Sequence, residues 1–273
     1  MSKVVFITGI SSGFGKHTSE LLAQKGYTVY GVSRKAIQLN PKVNILQLDI
    51  TDQPAVQNAM NTVIQKEGRI DVLINNAGMH TGGSIEDAPY EDVKLQMETN
   101  FWGFIHTIKA ALPTMRKQGY GTIINISSIG GLMGLPFQGF YSATKFAVEG
   151  MSEALRQELK QFNIKVVVVH PGDFHTNNTA SRKNVFKTAT SNAYEAQFTK
   201  SLAAIEKDEN GGWNPEILAR KLYKIIESKN PCNNYVVASF EQKLAVWLKY
   251  ILPSSWFFAI LEDHYKIKKP KKG

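Results

Sequence analysis

Tyr141 and Lys145 stand four residues apart in Tyr141-Ser142-Ala143-Thr144-Lys145, so on a helix they share one face. A nearby ammonium favours the phenolate and lowers a phenol pKa from its usual value of about 10. Such a phenol exchanges protons near neutral pH. Ser128, in Asn125-Ile126-Ser127-Ser128, adds a hydroxyl from a strand end that can hold a carbonyl oxygen beside it. A Tyr-x-x-x-Lys pair by itself suits an ordinary helix surface equally well. The elements around the pair decide between these readings.

Strands and helices alternate along the chain. Short apolar runs at Val4–Thr8, Thr28–Val32, Val43–Leu48, Ile70–Ile74, Gly121–Ile126 and Ile164–Val169 read as strands buried on both faces. Helical spacing covers His17–Lys25, Gln53–Lys66, Tyr90–Arg116, Tyr141–Phe162 and Pro215–Ser228, and Tyr235–Ala238 reads as a last strand. Asp52 is the expected N-cap of the second helix, with Pro54 in its first turn. This order predicts an α/β fold, a doubly wound parallel sheet of Rossmann type with helices on both faces. From about 173 to 213 polar residues dominate, which reads as a lid of loops and short helices or a long linker. The expected domain spans 1–240, followed by an extension over 241–273.

Composition fits one large domain: 273 residues, 43% of them hydrophobic. No apolar run approaches the roughly 20 residues of a spanning helix. The start enters Val4-Val5-Phe6-Ile7 without the regions of a signal peptide. Cys232 is the only cysteine, which excludes an internal disulfide and fits a reducing, cytoplasmic compartment. The six histidines show no metal-ligand spacing, so no metal is expected. The net charge of +9 suits an anionic cofactor, nucleic acid or anionic lipid. Part of it sits in a lysine-rich tail, Lys266, Lys268, Lys269, Lys271 and Lys272, which reads as solvated. No nucleic-acid-binding signature accompanies it, and no such partner is expected.

The candidate motifs fall at the carboxyl ends of the strands. Thr8-Gly9-Ile10-Ser11-Ser12-Gly13-Phe14-Gly15 joins the first strand to the first helix. Glycines there allow a tight turn and close approach of phosphates, and the helix start offers free amides and a positive dipole end. The second strand ends at Val32-Ser33-Arg34, with no acid to accept from a ribose. Arg34 is instead a planar cation suited to a 2′-phosphate, so NADP(H) is the expected cofactor; a solvated surface arginine is the other reading. Asp49-Ile50 ends the third strand, where the carboxylate would accept from an adenine amino group or cap the next helix.

Taken together, Thr8 to Gly15, Asn75-Asn76-Ala77-Gly78, Asn100, Ser128, Tyr141, Lys145 and Pro171-Gly172 resemble the short-chain dehydrogenase/reductase family, in its hydroxysteroid and retinol dehydrogenase-like branch. The resemblance covers roughly residues 3–238. It implies hydride transfer without a metal. By position it makes Tyr141 the catalytic acid/base, with Lys145 lowering its pKa and holding the nicotinamide ribose. Ser128 would orient the substrate carbonyl, since the family places its serine thirteen residues before the tyrosine, which selects Ser128 over Ser127. Asn100 would help hold a water on the proton path, or kink its helix, or both. Asn76, Ala77 and Gly78 would line the adenosine ribose, with Asn75 more structural. Phe174 and Thr176, after Pro171-Gly172, would contact the nicotinamide amide; Asp173 and His175 depart from what the family leads one to expect there. The implied assembly is a homo-oligomer.

The loop Leu132-Met133-Gly134-Leu135-Pro136-Phe137, with Phe140 and lid aromatics, suits a lipophilic carbonyl or alcohol substrate, or simply packs the lid. Leu244, Trp247, Leu248, Ile251 and Leu252, continued after Pro253 by Trp256, Phe257, Phe258, Ile260 and Leu261, form an apolar stripe. With the lysine tail it would lie on an anionic membrane surface, close the substrate pocket or enter a subunit interface. The expected activity is NADP(H)-dependent reduction of a lipophilic ketone or aldehyde, or its reverse. An NADPH-binding sensor or scaffold without turnover, or an epimerase of the sugar-nucleotide type, are the alternatives.

Overall fold

The computed structural model describes residues 2–175 and 192–267. Thr176 and the lysines of the tail beyond residue 267 lie outside them. Strands β1 (Val4–Thr8), β2 (Thr28–Ser33), β3 (Val43–Gln47), β4 (Val72–Asn75), β5 (Gly121–Ile126), β6 (Ile164–Pro171) and β7 (Asn234–Val237) form one sheet in the order β3-β2-β1-β4-β5-β6-β7. Every pairing is parallel. All five residues of β1 are buried, as a strand covered on both faces requires.

The helices are α1 (Gly13–Gln24), α2 (Gln53–Glu67), α3 (Tyr90–Met97), α4 (Gly103–Gln118), α5 (Gly139–Leu159), α6 (Asn192–Asn210), α7 (Pro215–Glu227), α8 (Phe240–Ile251) and α9 (Ser254–His264). On one face of the sheet Met60 of α2, Phe104 and Met115 of α4 and Val148 of α5 pack against Phe6, Leu73 and Ile123. On the other, Leu22 of α1 and Leu218 and Leu222 of α7 pack against Val5, Ile7 and Ile124. This is the doubly wound α/β fold expected from the sequence. The chain winds outward from β1 through β3, then returns to β4 on β1's other side. The loops after β1 and β4 therefore flank a switch point, where such sheets bind ligands.

Two local features differ from the sequence expectation. The stretch read as one helix over 90–116 is α3 and α4 joined by a π-turn, Glu98–Trp102. Asn100 sits in that turn and aims its amide at the backbone of Met79, so the wider turn belongs to a side chain engaged off the helix. The stretch from 192 to 210 is not a set of short helices but one helix of 19 residues. Phe198, Ser201 and Ile205 are its buried positions, a helical spacing that the surrounding polar residues obscure.

A buried amide chain ties the layers together beneath the switch point. Asn75 donates to Asn125 Oδ1 at 2.9 Å and accepts from Thr107 Oγ1 at 2.5 Å, while Asn125 donates to Ser152 Oγ at 2.9 Å. Satisfied buried networks of this kind fix a unique register between elements. At the other end of the chain, Ser239 and Gln242 form a capping box that starts α8, and α9 follows at Ser254. Val246, Phe257 and Leu261 of these two helices pack against Met133 and Leu135 from the loop after β5, and against Ile205 of α6.

Candidate active site

A cavity of about 1260 Å³ opens at the carboxyl ends of the strands. One end is a glycine turn in which two positions exclude a side chain. Gly9 has φ +74°, and a Cβ there would meet Ala77 Cα at 2.6 Å. A Cβ on Gly15 would lie 2.1 Å from Gly9 O and 2.6 Å from Asn76 Nδ2. Asn76 braces this turn by donating to Thr8 O at 2.9 Å and Gly9 O at 3.0 Å. Ser12 is the N-cap of α1, and its side chain does not cap, so the first-turn amides keep the positive end of the helix open to a ligand. Ser11, Ser12, Gly13 and Phe14 line this end of the cavity.

The adjoining wall is basic. Ser33, Arg34 and Lys35 line it, and Ser33 Oγ donates to Lys35 O at 2.9 Å, which shapes the bend after β2. Asp49 and Ile50 face the same space. Asp49 accepts from Thr51 N and Thr51 Oγ1, both at 2.9 Å, whereas Asp52 caps α2 through Ala55 N at 3.0 Å. Of the two acids, Asp52 is the helix cap and Asp49 is a cavity residue.

The reacting end combines β5 and α5. Ser128 Oγ accepts from Gly130 N at 3.0 Å, which leaves its O–H to donate into the cavity. Ser128 Oγ and Tyr141 Cε1 each lie 3.4 Å from the point where a Gly130 side chain would begin, so serine and tyrosine face one space. Lys145 Nζ lies 5.7 Å from the Tyr141 ring centroid and donates to Ile126 O at 3.0 Å. Burial holds the Lys145 pKa down to about 8, and the charge of Glu149 pushes it back up. Asn100 does not line the cavity. Its side chain accepts from Met79 N at 2.8 Å and donates to Met79 O at 2.8 Å and Thr144 Oγ1 at 3.1 Å, bracing both sides of the Lys145 site.

Ala77, Gly78, Pro171, Gly172 and Phe174 complete the wall. Phe174 stacks edge-on against Phe14 with centroids 4.9 Å apart, and pairs its backbone with Trp213. Asp173, unexpected in the sequence, receives a hydrogen bond from the Gln242 amide of α8. A Cβ on Gly172 would lie 2.0 Å from Gln242 Oε1, so only glycine fits beneath that contact. Thr176 falls outside the described residues.

Several lining residues escaped the sequence reading. Lys35 doubles the charge beside Arg34, and its adjacency was a usable signal. His80 packs its ring against Tyr141, centroids 4.2 Å apart, and Met79 lies next to it. Ala245 of α8 and Tyr265, just after α9, join Ile260 and Leu261 of the apolar stripe at the far end; no local pattern in the sequence places Ala245 or Tyr265 there. Of the terminal stripe, Ile260 and Leu261 line this cavity. Among the described residues no group of three or more His, Cys, Asp or Glu could hold a metal, and no helix is long and apolar enough to cross a membrane.

The family model for short chain dehydrogenases matches residues 3–185. The chain belongs to the short-chain dehydrogenase family. It is 47% identical over 266 residues, 97% of this chain and 99% of the other, to a 3-ketodihydrosphingosine reductase of Bacteroides thetaiotaomicron. In fold it is similar to a short-chain dehydrogenase from Streptomyces avermitilis, at TM-score 0.80 and 28% identity with 98% of each chain covered. It is likewise similar to ElxO solved with NADP bound, at TM-score 0.72 and 28% identity, covering 87% of this chain and 96% of that one. The family makes the chain an oxidoreductase, and a dinucleotide such as the NADP bound in ElxO suits the cradle here: a turn with glycine at its two tightest points, open helix amides and a basic wall.

Gly15→Ala tests that cradle. Its methyl must displace the Gly9 carbonyl, so dinucleotide affinity should fall at least about tenfold, as read by isothermal titration, with the circular dichroism of the fold retained. Unchanged affinity would place the phosphates elsewhere.

Proposed function

We propose that this chain is an NADP(H)-dependent oxidoreductase that reduces a lipophilic ketone or aldehyde to an alcohol, or the reverse, with Ser128, Tyr141 and Lys145 handling the proton. The observation that carries the reading is the meeting of these three side chains at one end of the cavity whose other end is the glycine cradle. A non-catalytic sensor has no chemical use for a serine donor, a phenol and a buried lysine converging there. The apolar far end, with Met133, Leu135, Ile260 and Leu261, suits an aliphatic substrate. The identity to the Bacteroides reductase supports a sphingoid-type 3-ketone as that substrate.

Gly9, Ser11, Ser12, Gly13, Phe14 and Gly15 would hold the pyrophosphate, with Asn76, Ala77 and Gly78 beside the adenosine ribose. Arg34, joined by Lys35, would take the 2′-phosphate, and Asp49 and Ile50 the adenine. Pro171, Gly172, Phe174 and Thr176 would border the nicotinamide. When bound, the cofactor supplies or accepts the hydride. Ser128 donates to the substrate oxygen and fixes its direction. Tyr141 donates a second hydrogen bond and then its proton as charge grows on that oxygen, a stabilisation in the manner of an oxyanion site. Lys145 keeps the phenol acidic. Asn100 holds the backbone at Met79 and the helical turn at Thr144, and would help hold a water on the proton path to Lys145.

The outward half of the terminal helices bears on the partner. Phe240, Trp247, Tyr250, Ile251, Trp256 and Phe258 are all more than half exposed on two consecutive helices. An apolar face ending in a run of lysines fits an anionic bilayer surface. The same helices line the cavity from inside, so a lipid substrate would have a short route from that surface. The family also leads us to propose a homo-oligomer, built on other surfaces.

Tyr141→Phe should keep NADPH affinity and lose turnover by roughly 10²–10⁴-fold, measured with a ketone panel at the NADPH absorbance band; retained turnover would reject the assignment. Arg34→Asp should weaken NADPH at least about tenfold while leaving NADH nearly unchanged in KM; equal losses would return Arg34 to the solvated surface. Vesicles containing anionic lipid should pellet the chain, and Trp247→Ser with Trp256→Ser should abolish pelleting. No pelleting, together with a dimer that the double variant splits, would assign the face to a second copy instead.

A further inference from the structure

Behind the Tyr141–Lys145 pair lies a largely buried carboxylate–imidazole pair that the reaction just described does not use. Glu149 is one helical turn beyond Lys145 on α5, on the same face. Its Oε2 is 3.0 Å from His170 Nε2 on β6, and the two side chains are 15% and 1% exposed. Glu149 Oε1, His170 Nδ1 and the nearby Ser127 Oγ are buried with no hydrogen-bond partner among the described residues. Taking such a pair out of water is costly, and an apolar pair of similar volume would pack there at less cost. Its position, rather than its stability, calls for a reason.

Lys145 supplies that reason. Its ammonium is buried, with Ile126 O as its hydrogen-bond acceptor among the described residues. Burial favours the neutral amine, and a neutral amine does nothing to keep Tyr141 acidic. Glu149 is the carboxylate that acts against that burial. We propose that Glu149, braced by His170, is a positioning residue that keeps Lys145 an ammonium and thereby keeps Tyr141 a working acid. The proposal rests on the roles given above to Tyr141 and Lys145.

The charged and titratable groups around this spot come from several elements. Tyr141 lies on α5 itself. His80, from the loop after β4, packs against the Tyr141 ring. Lys249 of α8 lies over Phe146 and donates to Leu132 O. Asn100, Ser127 and Ser128 are neutral. A Cβ on Gly131 would come within 2.6 Å of Ser127 Oγ and 3.2 Å of Glu149 Oε1, so the carboxylate is confined by backbone as well as by His170.

Removing the anion from this spot lowers the pKa of Lys145, and once Lys145 is neutral Tyr141 loses the ammonium that keeps it acidic. Glu149→Gln keeps the shape and can still accept from His170. In cofactor-free protein labelled with ¹³Cε-lysine, the Lys145 resonance is the one that Lys145→Arg removes. It should titrate about one pH unit lower in Glu149→Gln than in the wild type. The alkaline limb of kcat/KM for ketone reduction should shift the same way. His170→Asn, a second variant should the first fail to fold, removes the group that holds the carboxylate in place and should move Lys145 in the same direction. A purely structural Glu149 would lower stability and leave both titrations in place. If Tyr141→Phe is inactive but Lys145 titrates alike in the wild type and both variants, the role given to Glu149 falls and the catalytic set stands. If Tyr141→Phe retains turnover, the set itself falls.

Discussion

A lysine ammonium buried beneath a phenol is the constraint on which the rest of this molecule depends. In water an ammonium needs no help to stay charged; inside a protein it does. Lys145 is 5% exposed, and its charge has to be held by a strand carbonyl at Ile126 and the field of Glu149. Glu149 shares α5 with Lys145, and Ile126 ends β5, which must not move relative to that helix. The parallel sheet, packed on both faces, provides that immobility, and the buried amides of Asn75 and Asn125 lock the two central strands to the helices behind them.

The dinucleotide cradle obeys the opposite requirement. There the protein has to withdraw its side chains rather than place them. Gly9 and Gly15 bring three backbone segments so close that a single methyl would collide with main-chain atoms. Asn76 fills the remaining gap and ties the turn after β1 to the loop after β4. One end of the cavity is thus defined by two positions that must stay bare, the other by three side chains that converge, and the switch point of the sheet brings both to one cavity.

The sheet and the central site were legible because both follow from local patterns. Continuous apolar runs such as Val4–Thr8 mark doubly covered strands, and the motif residues sit at strand ends where topology must gather them. The helical nature of 192–210 was harder to see, because its buried positions, Phe198, Ser201 and Ile205, include a serine whose hydroxyl donates to Tyr265 O at 2.7 Å. The π-turn at Asn100 was half legible: an asparagine inside a helix signals a distortion but not its kind. The far wall of the cavity was only partly legible: closing the pocket was one of three fates open to the stripe that holds Ile260 and Leu261. Ile260, Leu261 and Tyr265 reach it only because two helices fold back across the sheet's end, and nothing within a few residues of them encodes that return.

Gln242 has a broader consequence. Its amide grips Asp173 in the loop after β6, its carbonyl oxygen crowds Gly172, and its own helix forms part of the cavity's roof. That loop cannot swing away without dragging the roof along. The two walls of the cavity are thereby coupled, so a displacement of either one is carried to the other through a single side chain.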